Sequence, residues 1–191
     1  ALLSKLKNPR FAYIAPTFKQ AKSIAWDYMK QFTAKIPHTK FNETELRVDL
    51  PNGSRITLLG SESPDGLRGI YLDGCVIDEY ANVNSKLFPE IIRPALSDRK
   101  GYCVFIGTPM GMNNNFYELY QHAQGAEDWF NYKAKASQTK IVDQDELDKA
   151  KEVMGEKKYQ QEFECDWIAN IEGAVYGDVI AKLDDDKQLT R

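Results

Sequence analysis

Cys75-Val76-Ile77-Asp78-Glu79 sets two acids directly after a short apolar run, the order in which a buried strand delivers carboxylates to its own end. Such a pair suits hydrolysis of a nucleoside triphosphate. The first carboxylate, fixed by the strand, orders the water shell of Mg²⁺, and the second projects elsewhere and polarises the attacking water. The residues alone fit a solvated strand end as well. Gly107-Thr108-Pro109 closes the next apolar run, with Thr108 placed 29 positions after Glu79. A hydroxyl there can hydrogen-bond the attacking water or the glutamate, although Gly-Thr-Pro also simply punctuates turns. Arg68 stands between Gly66 and Gly69 in a polar stretch. An arginine on a glycine-hinged loop can neutralise charge developing on a transferring phosphate, from its own subunit or a neighbour's, and a solvated surface arginine reads the same way. The sequence has no G-x-x-x-x-G-K-[ST], so nothing in it cradles β- and γ-phosphates with backbone amides and a lysine.

The elements that must position these groups follow from apolar spacing. Phe11-Ala12-Tyr13-Ile14-Ala15 reads as a buried strand ending at Pro16. Thr17 and Gln20 then form a capping box, and Ala21, Ile24, Ala25, Tyr28, Met29, Phe32 and Ile36 predict a helix with one apolar face, ended by Pro37. Residues 46–60 alternate around Pro51-Asn52-Gly53 as a hairpin whose arms face one core. The stretch 60–69 is an exposed loop. After the acid pair a helix is expected from about Ser85 to Leu96, then a strand over Tyr102–Ile106, then a helix carrying Phe116, Leu119, Tyr120 and Ala123. Two later helices are expected, one opened by an Asp143 to Glu146 capping box and closed at Gly155, the other around Tyr159 to Phe163. Apolar strands alternating with helices predict a parallel α/β sheet with polar chemistry at the carboxyl ends of its strands. Tyr13 and Trp26 fit the apolar spacing and read as core residues, not as platforms for stacked bases.

With 191 residues, the chain has the length of one domain. Its 42% hydrophobic and 28% charged residues exclude a disordered or collagen-like chain. The net charge of −3 argues against a wholly basic nucleic-acid module, but it is unevenly spread: residues 1–100 sum to +4 and residues 101–191 to −7. The lysines at 5, 7, 19, 22, 30, 35 and 40, with Arg10, read as solvated surface, nucleic-acid contact being the alternative. Cys75, Cys103 and Cys165 lack metal-site spacing, and His38 and His122 lie far apart, which argues against zinc and against a disulfide framework. Cysteines within apolar runs suit a reducing compartment, and no apolar stretch is long enough to span a bilayer. Leu2, Leu3 and Leu6 sit at helical spacing before Asn8-Pro9, as though the chain began inside a helix, and Asp184-Asp185-Asp186 reads as a solvated tail.

Taken in order, Tyr13-Ile14-Ala15-Pro16-Thr17-Phe18-Lys19-Gln20-Ala21, the hairpin with Asn52-Gly53-Ser54, Gly66-Leu67-Arg68-Gly69, Val76-Ile77-Asp78-Glu79-Tyr80-Ala81, Arg93-Pro94-Ala95-Leu96 and Phe105-Ile106-Gly107-Thr108-Pro109-Met110-Gly111 resemble the large terminase subunit of tailed bacteriophages. The resemblance covers residues 11 to 165 and continues more weakly to Gly173-Ala174-Val175-Tyr176. It implies an ATP-driven motor that pushes double-stranded DNA into a capsid, with an N-terminal ATPase domain and a C-terminal RNase H-like nuclease. The implied fold is α/β, a parallel-sheet P-loop NTPase-like (ASCE) core with flanking helices and one β-hairpin, here lacking the P-loop segment. By this resemblance Asp78 is the Mg²⁺-binding Walker B acid, Glu79 the catalytic glutamate, Thr108 part of the coupling motif, and Arg68 a finger reaching across a subunit boundary.

The implied cofactors are ATP and Mg²⁺. The implied partners are double-stranded DNA, a portal or prohead, the small terminase subunit and further copies in a homo-oligomeric ring, with no membrane, in the cytoplasm of a bacterial host. Family spacing puts the phosphate loop a few turns upstream of Ala1. Residues 1–170 then form a partial ATPase domain and 171–191 a linker towards a nuclease, and the chain alone is expected to bind ATP poorly and not to turn it over. Two alternatives stay open: a non-catalytic interaction remnant, and a helicase-type nucleic-acid-dependent ATPase. A phosphate loop upstream separates the first from a motor, and a downstream nuclease instead of a second ATPase lobe separates the second.

Overall fold

In a computed structural model, which describes residues 8–168, contacts divide the described residues into two compact units that part after Gly107. The expected cut helix at Leu2, Leu3 and Leu6 and the expected linker over 171–191 lie outside the described residues.

In the first unit the apolar run after Pro9 forms β1 (Arg10–Ala15), the centre of a six-stranded sheet. The other strands are β2 (Lys40–Asn42), β3 (Arg47–Asp49), β4 (Arg55–Gly60), β5 (Gly74–Ile77) and β6 (Tyr102–Phe105), in the spatial order β2-β3-β4-β1-β5-β6. β4, β1, β5 and β6 run parallel, with Tyr13 opposite Leu58 on one side and Val76 on the other, and Val76 opposite Val104. The expected hairpin is the antiparallel pair β3–β4, and β2, which the spacing did not suggest, extends it. The hairpin turn closes through Gly53 N donating to Leu50 O at 3.0 Å, with Gly53 at φ 83°, where a side chain is unfavourable. Ala12, Ile14 and Ala15 are buried, as a strand covered on both faces requires.

Alternation along the strands assigns the two faces. Tyr13, Ala15, Leu58 and Val48 pack with Ala21 and Trp26 of α1 (residues 18–33). On the opposite face, which carries Ile14, Ile77 and Phe105, α2 (residues 87–97) packs through Phe88, whose ring centroid lies 4.7 Å from that of Phe105. Leu87, Ile91, Ile92 and Leu96 of α2 are buried.

Both helices depart from regular α geometry. In α1 a turn over Phe18–Ala21 leads into a wider π-type stretch, Lys22–Trp26, before α geometry resumes over Asp27–Thr33. The expected apolar face is therefore displaced. Ala21, Trp26 and Thr33 are buried and Ala25 and Met29 pack beside them, whereas Tyr28 and Phe32 are 62% and 76% exposed. A π segment winds more residues into each turn, so positions spaced for a 3.6-residue period drift off the core-facing side. At the start of α1, Thr17 caps as expected, accepting from Gln20 N at 3.2 Å. Its hydroxyl donates to Gln20 Oε1 at 3.0 Å, in place of the reciprocal bond to the Thr17 backbone that a full capping box makes. Likewise α2 is a π-type stretch, Leu87–Ile92, followed by the α turn Arg93–Ser97.

The second unit contains α3 (Asn115–Ala123), α4 (Ala136–Thr139), α5 (Gln144–Met154) and α6 (Glu156–Glu164). Asn114 caps α3, accepting from Phe116 N and Tyr117 N at 2.9 and 3.1 Å. Asp143 precedes α5 without a side-chain cap bond, so the second expected capping box does not form, while Gly155 ends α5 at φ 79° as expected. Ala136, Leu147 and Tyr159 make a small core, and Trp167 lies among Phe116, Tyr117 and Tyr120 with ring centroids 5.3, 5.3 and 5.4 Å away. Among the described residues no helix is long and apolar enough to cross a membrane.

Candidate nucleotide-hydrolysis site

β5 ends at Ile77, and the next residue keeps the strand's pairing: Asp78 N donates to Ile14 O at 2.8 Å. This fixes the Asp78 backbone against the buried end of β1. Both of its carboxylate oxygens accept a hydrogen bond, Oδ2 from the Tyr13 hydroxyl and Oδ1 from Glu79 N at 2.8 Å. Burial pushes the Tyr13 phenol well above its ordinary pKa, and its hydrogen bond to Asp78 and the charges of Asp78 and Glu79 push it further. Tyr13 is thus protonated and the donor of that bond.

Glu79 leaves the strand at φ 49°, ψ 45°, the left-handed region that a residue with a long side chain rarely enters. Strain of this kind typically costs about 1–3 kcal/mol and persists where surrounding contacts over-determine it. Those contacts are visible. Glu79 O accepts from Asn82 N at 2.8 Å, and Tyr80 N donates to Ile106 O at 3.1 Å, tying the residue after the glutamate to the end of β6. Tyr80 is buried with its ring 4.7 Å from that of Phe105. Gly107 runs close beneath: a Cβ at that position would stand 3.2 Å from Glu79 Cα and from Tyr80 N. The sharp turn takes the backbone out of the line of β5 between the two acids.

Arg68 follows a short 3₁₀ turn, Pro64–Leu67, and is 56% exposed as a side chain. Its Nε bonds Asp65 Oδ1 at 2.8 Å, and its Nη2 reaches Glu90 Oε2 on α2 at 3.4 Å. Thr108 is half-buried and opens the second unit. The structure thus brings Asp78 and Glu79 together at one strand end, with Arg68 in an exposed loop held by carboxylates.

For Mg²⁺, the donor set fits. The described residues hold no group of three or more His, Cys, Asp or Glu able to build a protein cage, and Mg²⁺ characteristically takes one or two carboxylates beside waters and substrate phosphates. Asp78 would supply one such carboxylate, and each of its oxygens keeps a lone pair beyond its hydrogen bond.

Cys75 and Cys103 face each other across β5 and β6 with their sulfurs 3.4 Å apart. The bond to Cys75 and burial push the Cys103 thiol far up, so it remains an inert small hydrophobe. Sequence spacing missed two features here: the reach of Tyr13 to Asp78 and the left-handed turn at Glu79. The signal for the first was a hydroxyl-bearing residue in an otherwise apolar central strand.

Comparison with known proteins decides the family. The family model described as terminase large subunit, T4likevirus-type, N-terminal, matches residues 2–178. This chain belongs to that family. The large terminase subunits of Thermus phage G20c and Thermus virus P23-45 are each 30% identical to it over 126 residues, covering 56% of this chain and 26% of theirs. The chain therefore spans about a quarter of the length of the curated relatives it matches. Among solved structures, the large terminase ATPase domain of Thermus phage P74-26 superposes with a TM-score of 0.70 at 22% identity, covering 84% of this chain and 77% of that one. The large terminase of another thermophilic bacteriophage, in complex with ADP, gives 0.72 at 15% identity, covering 85% and 42%. That second protein is also known in complex with ATP-gamma-S. The terminase fragment has the mixed α/β fold of these ATPase domains, with the flanking helices and the hairpin expected from the sequence.

Proposed function

We propose that this chain is part of the ATPase of a DNA-packaging motor, in which hydrolysis of ATP drives double-stranded DNA into a capsid. The observation that carries this reading is the acid pair at the carboxyl end of β5, with Asp78 aligned by two strands and Glu79 turned aside beside the tip of β6. In the parent protein Asp78 holds the water shell of Mg²⁺. Bound there, the ion would neutralise phosphate charge and align the nucleotide. Glu79 accepts a hydrogen bond from the attacking water and polarises it toward the terminal phosphate. Arg68, whose two carboxylate partners are exposed and so hold it weakly, swings toward developing phosphate charge, in its own subunit or in a neighbour of a homo-oligomeric ring. Thr108, directly after Gly107, links the state of the phosphate to movement of the chain that follows.

The phosphate loop belongs to the sequence upstream. Among the described residues β6 is the outermost strand, and Tyr102, Val104 and Ile106, on the α1 side of the sheet, are 55%, 42% and 42% exposed. A further parallel strand and its helix would cover that surface and bring backbone amides to the phosphates beside Asp78. A nuclease domain downstream, a portal or prohead, and the small terminase subunit complete the proposed machine, working in the cytoplasm of a bacterial host.

The test compares ATP turnover by the 191-residue chain with that of the same chain extended upstream through its phosphate loop. Only the extended protein is expected to turn over, and Glu79→Gln should lower its kcat by about 10²- to 10⁴-fold with nucleotide affinity retained. Fast turnover by the chain alone, abolished by Glu79→Gln, overturns the missing-loop reading. Undiminished kcat in extended Glu79→Gln overturns the role of the glutamate.

A further inference from the structure

We infer that Tyr13 is the outer partner that orients the metal carboxylate of Asp78, a positioning residue for the hydrolysis proposed above, on which this inference rests. β1 and β5 are parallel neighbours with Tyr13 opposite Val76, so Asp78 stands two positions further along on the same side of the sheet. A tyrosine is long enough for its hydroxyl to cover that advance, and it bonds Asp78 Oδ2. With Glu79 N on Oδ1 at 2.8 Å, the carboxylate is held by two hydrogen bonds, one on each oxygen, and its backbone is anchored by Asp78 N donating to Ile14 O at 2.8 Å.

Core packing alone does not account for the hydroxyl. The Tyr13 ring packs against the cluster of Ala15, Ala21, Trp26 and Leu58, where a phenylalanine would pack equally well. A partly buried hydroxyl costs free energy unless it finds a partner, and the partner here is the side chain placed to take a metal ion. Ligating carboxylates are characteristically held by such outer hydrogen bonds, whose loss typically weakens metal affinity about 10- to 100-fold. Tyr13 donates to one lone pair of Oδ2, so the second lone pair stays available.

The test is a Mn²⁺ titration of the ¹⁵N-labelled chain, reading paramagnetic broadening of amide signals, with Tyr13→Phe and Asp78→Asn beside the wild type and thermal unfolding of all three. The wild-type chain should broaden around Ile77–Tyr80, and Asp78→Asn should abolish this. Tyr13→Phe should need about 10-fold or more Mn²⁺ for equal broadening. A residue with only a packing role would shift the melting temperature and leave the Mn²⁺ dependence alone. Broadening that vanishes in Asp78→Asn yet keeps its Mn²⁺ dependence in Tyr13→Phe overturns the role of Tyr13 and leaves the proposed function standing. No broadening around Ile77–Tyr80 in the wild type removes the metal assignment beneath both.

Discussion

At the residue scale the governing feature is the glutamate forced into left-handed backbone. Glu79 at φ 49° has the conformation that glycine or asparagine adopts at lower cost. We therefore expect Glu79→Asn to raise the unfolding free energy by about 1 kcal/mol, measured in urea, while abolishing turnover in the extended protein. A clear loss of stability would mean that the carboxylate contributes more than its backbone costs. Gly107 gives the complementary expectation. A methyl group 3.2 Å from Glu79 Cα forces backbone apart, so Gly107→Ala should destabilise by about 1–3 kcal/mol and displace the Glu79 amide signal. An unchanged spectrum would show that β6 does not hold the glutamate in place.

At the element scale the two helices and the hairpin differ in how readable they were. The central strand, the hairpin and the strand ending in the acid pair were legible because a period of two and turn residues leave few alternatives. The inward side of α1 was not legible, since apolar spacing presumes a 3.6-residue turn and Lys22–Trp26 is wound wider. Substitution separates the two descriptions. Trp26→Ala, which removes a buried indole that donates to Glu43 at 2.6 Å, should cost about 3–5 kcal/mol, and Phe32→Ala should stay within about 0.5 kcal/mol. The placement of Asp78 and Glu79 at a strand end was legible because the two are adjacent in sequence and follow an apolar run. The contribution of Tyr13 was hidden because it depends on which strand lies beside β5.

The hairpin carries its own pH dependence. Burial alone would raise the pKa of Asp49, but bonds from Arg55 at 2.6 Å and Arg47 at 3.0 Å outweigh it and hold the carboxyl below its ordinary value. A pKa lower in the folded state than in the unfolded chain means stability that is present above the unfolded value and lost as pH falls through the folded one. Asp49→Asn should therefore lower the urea midpoint at neutral pH and leave it unchanged once the pH lies below the folded pKa.

At the scale of the whole molecule, a net charge of −3 with a basic first hundred residues means that, in the proposed motor, any grip on DNA would be made locally. A motor that holds and releases the phosphate backbone repeatedly needs contacts without base preference, so DNA affinity of the parent protein should fall steeply with salt, by about 10³-fold or more between roughly 50 and 200 mM for about six or more phosphate contacts. Affinity indifferent to salt would exclude a backbone grip.

The outer edge of β6 has a consequence for handling the isolated chain. An outermost parallel strand that no described strand covers, flanked by the half-exposed Tyr102, Val104 and Ile106, is a template on which a second molecule can add its own strand. Purified by itself, this chain should show concentration-dependent self-association in sedimentation, relieved by Val104→Lys, because the surface that the proposed further strand would cover is sticky to any strand that reaches it first.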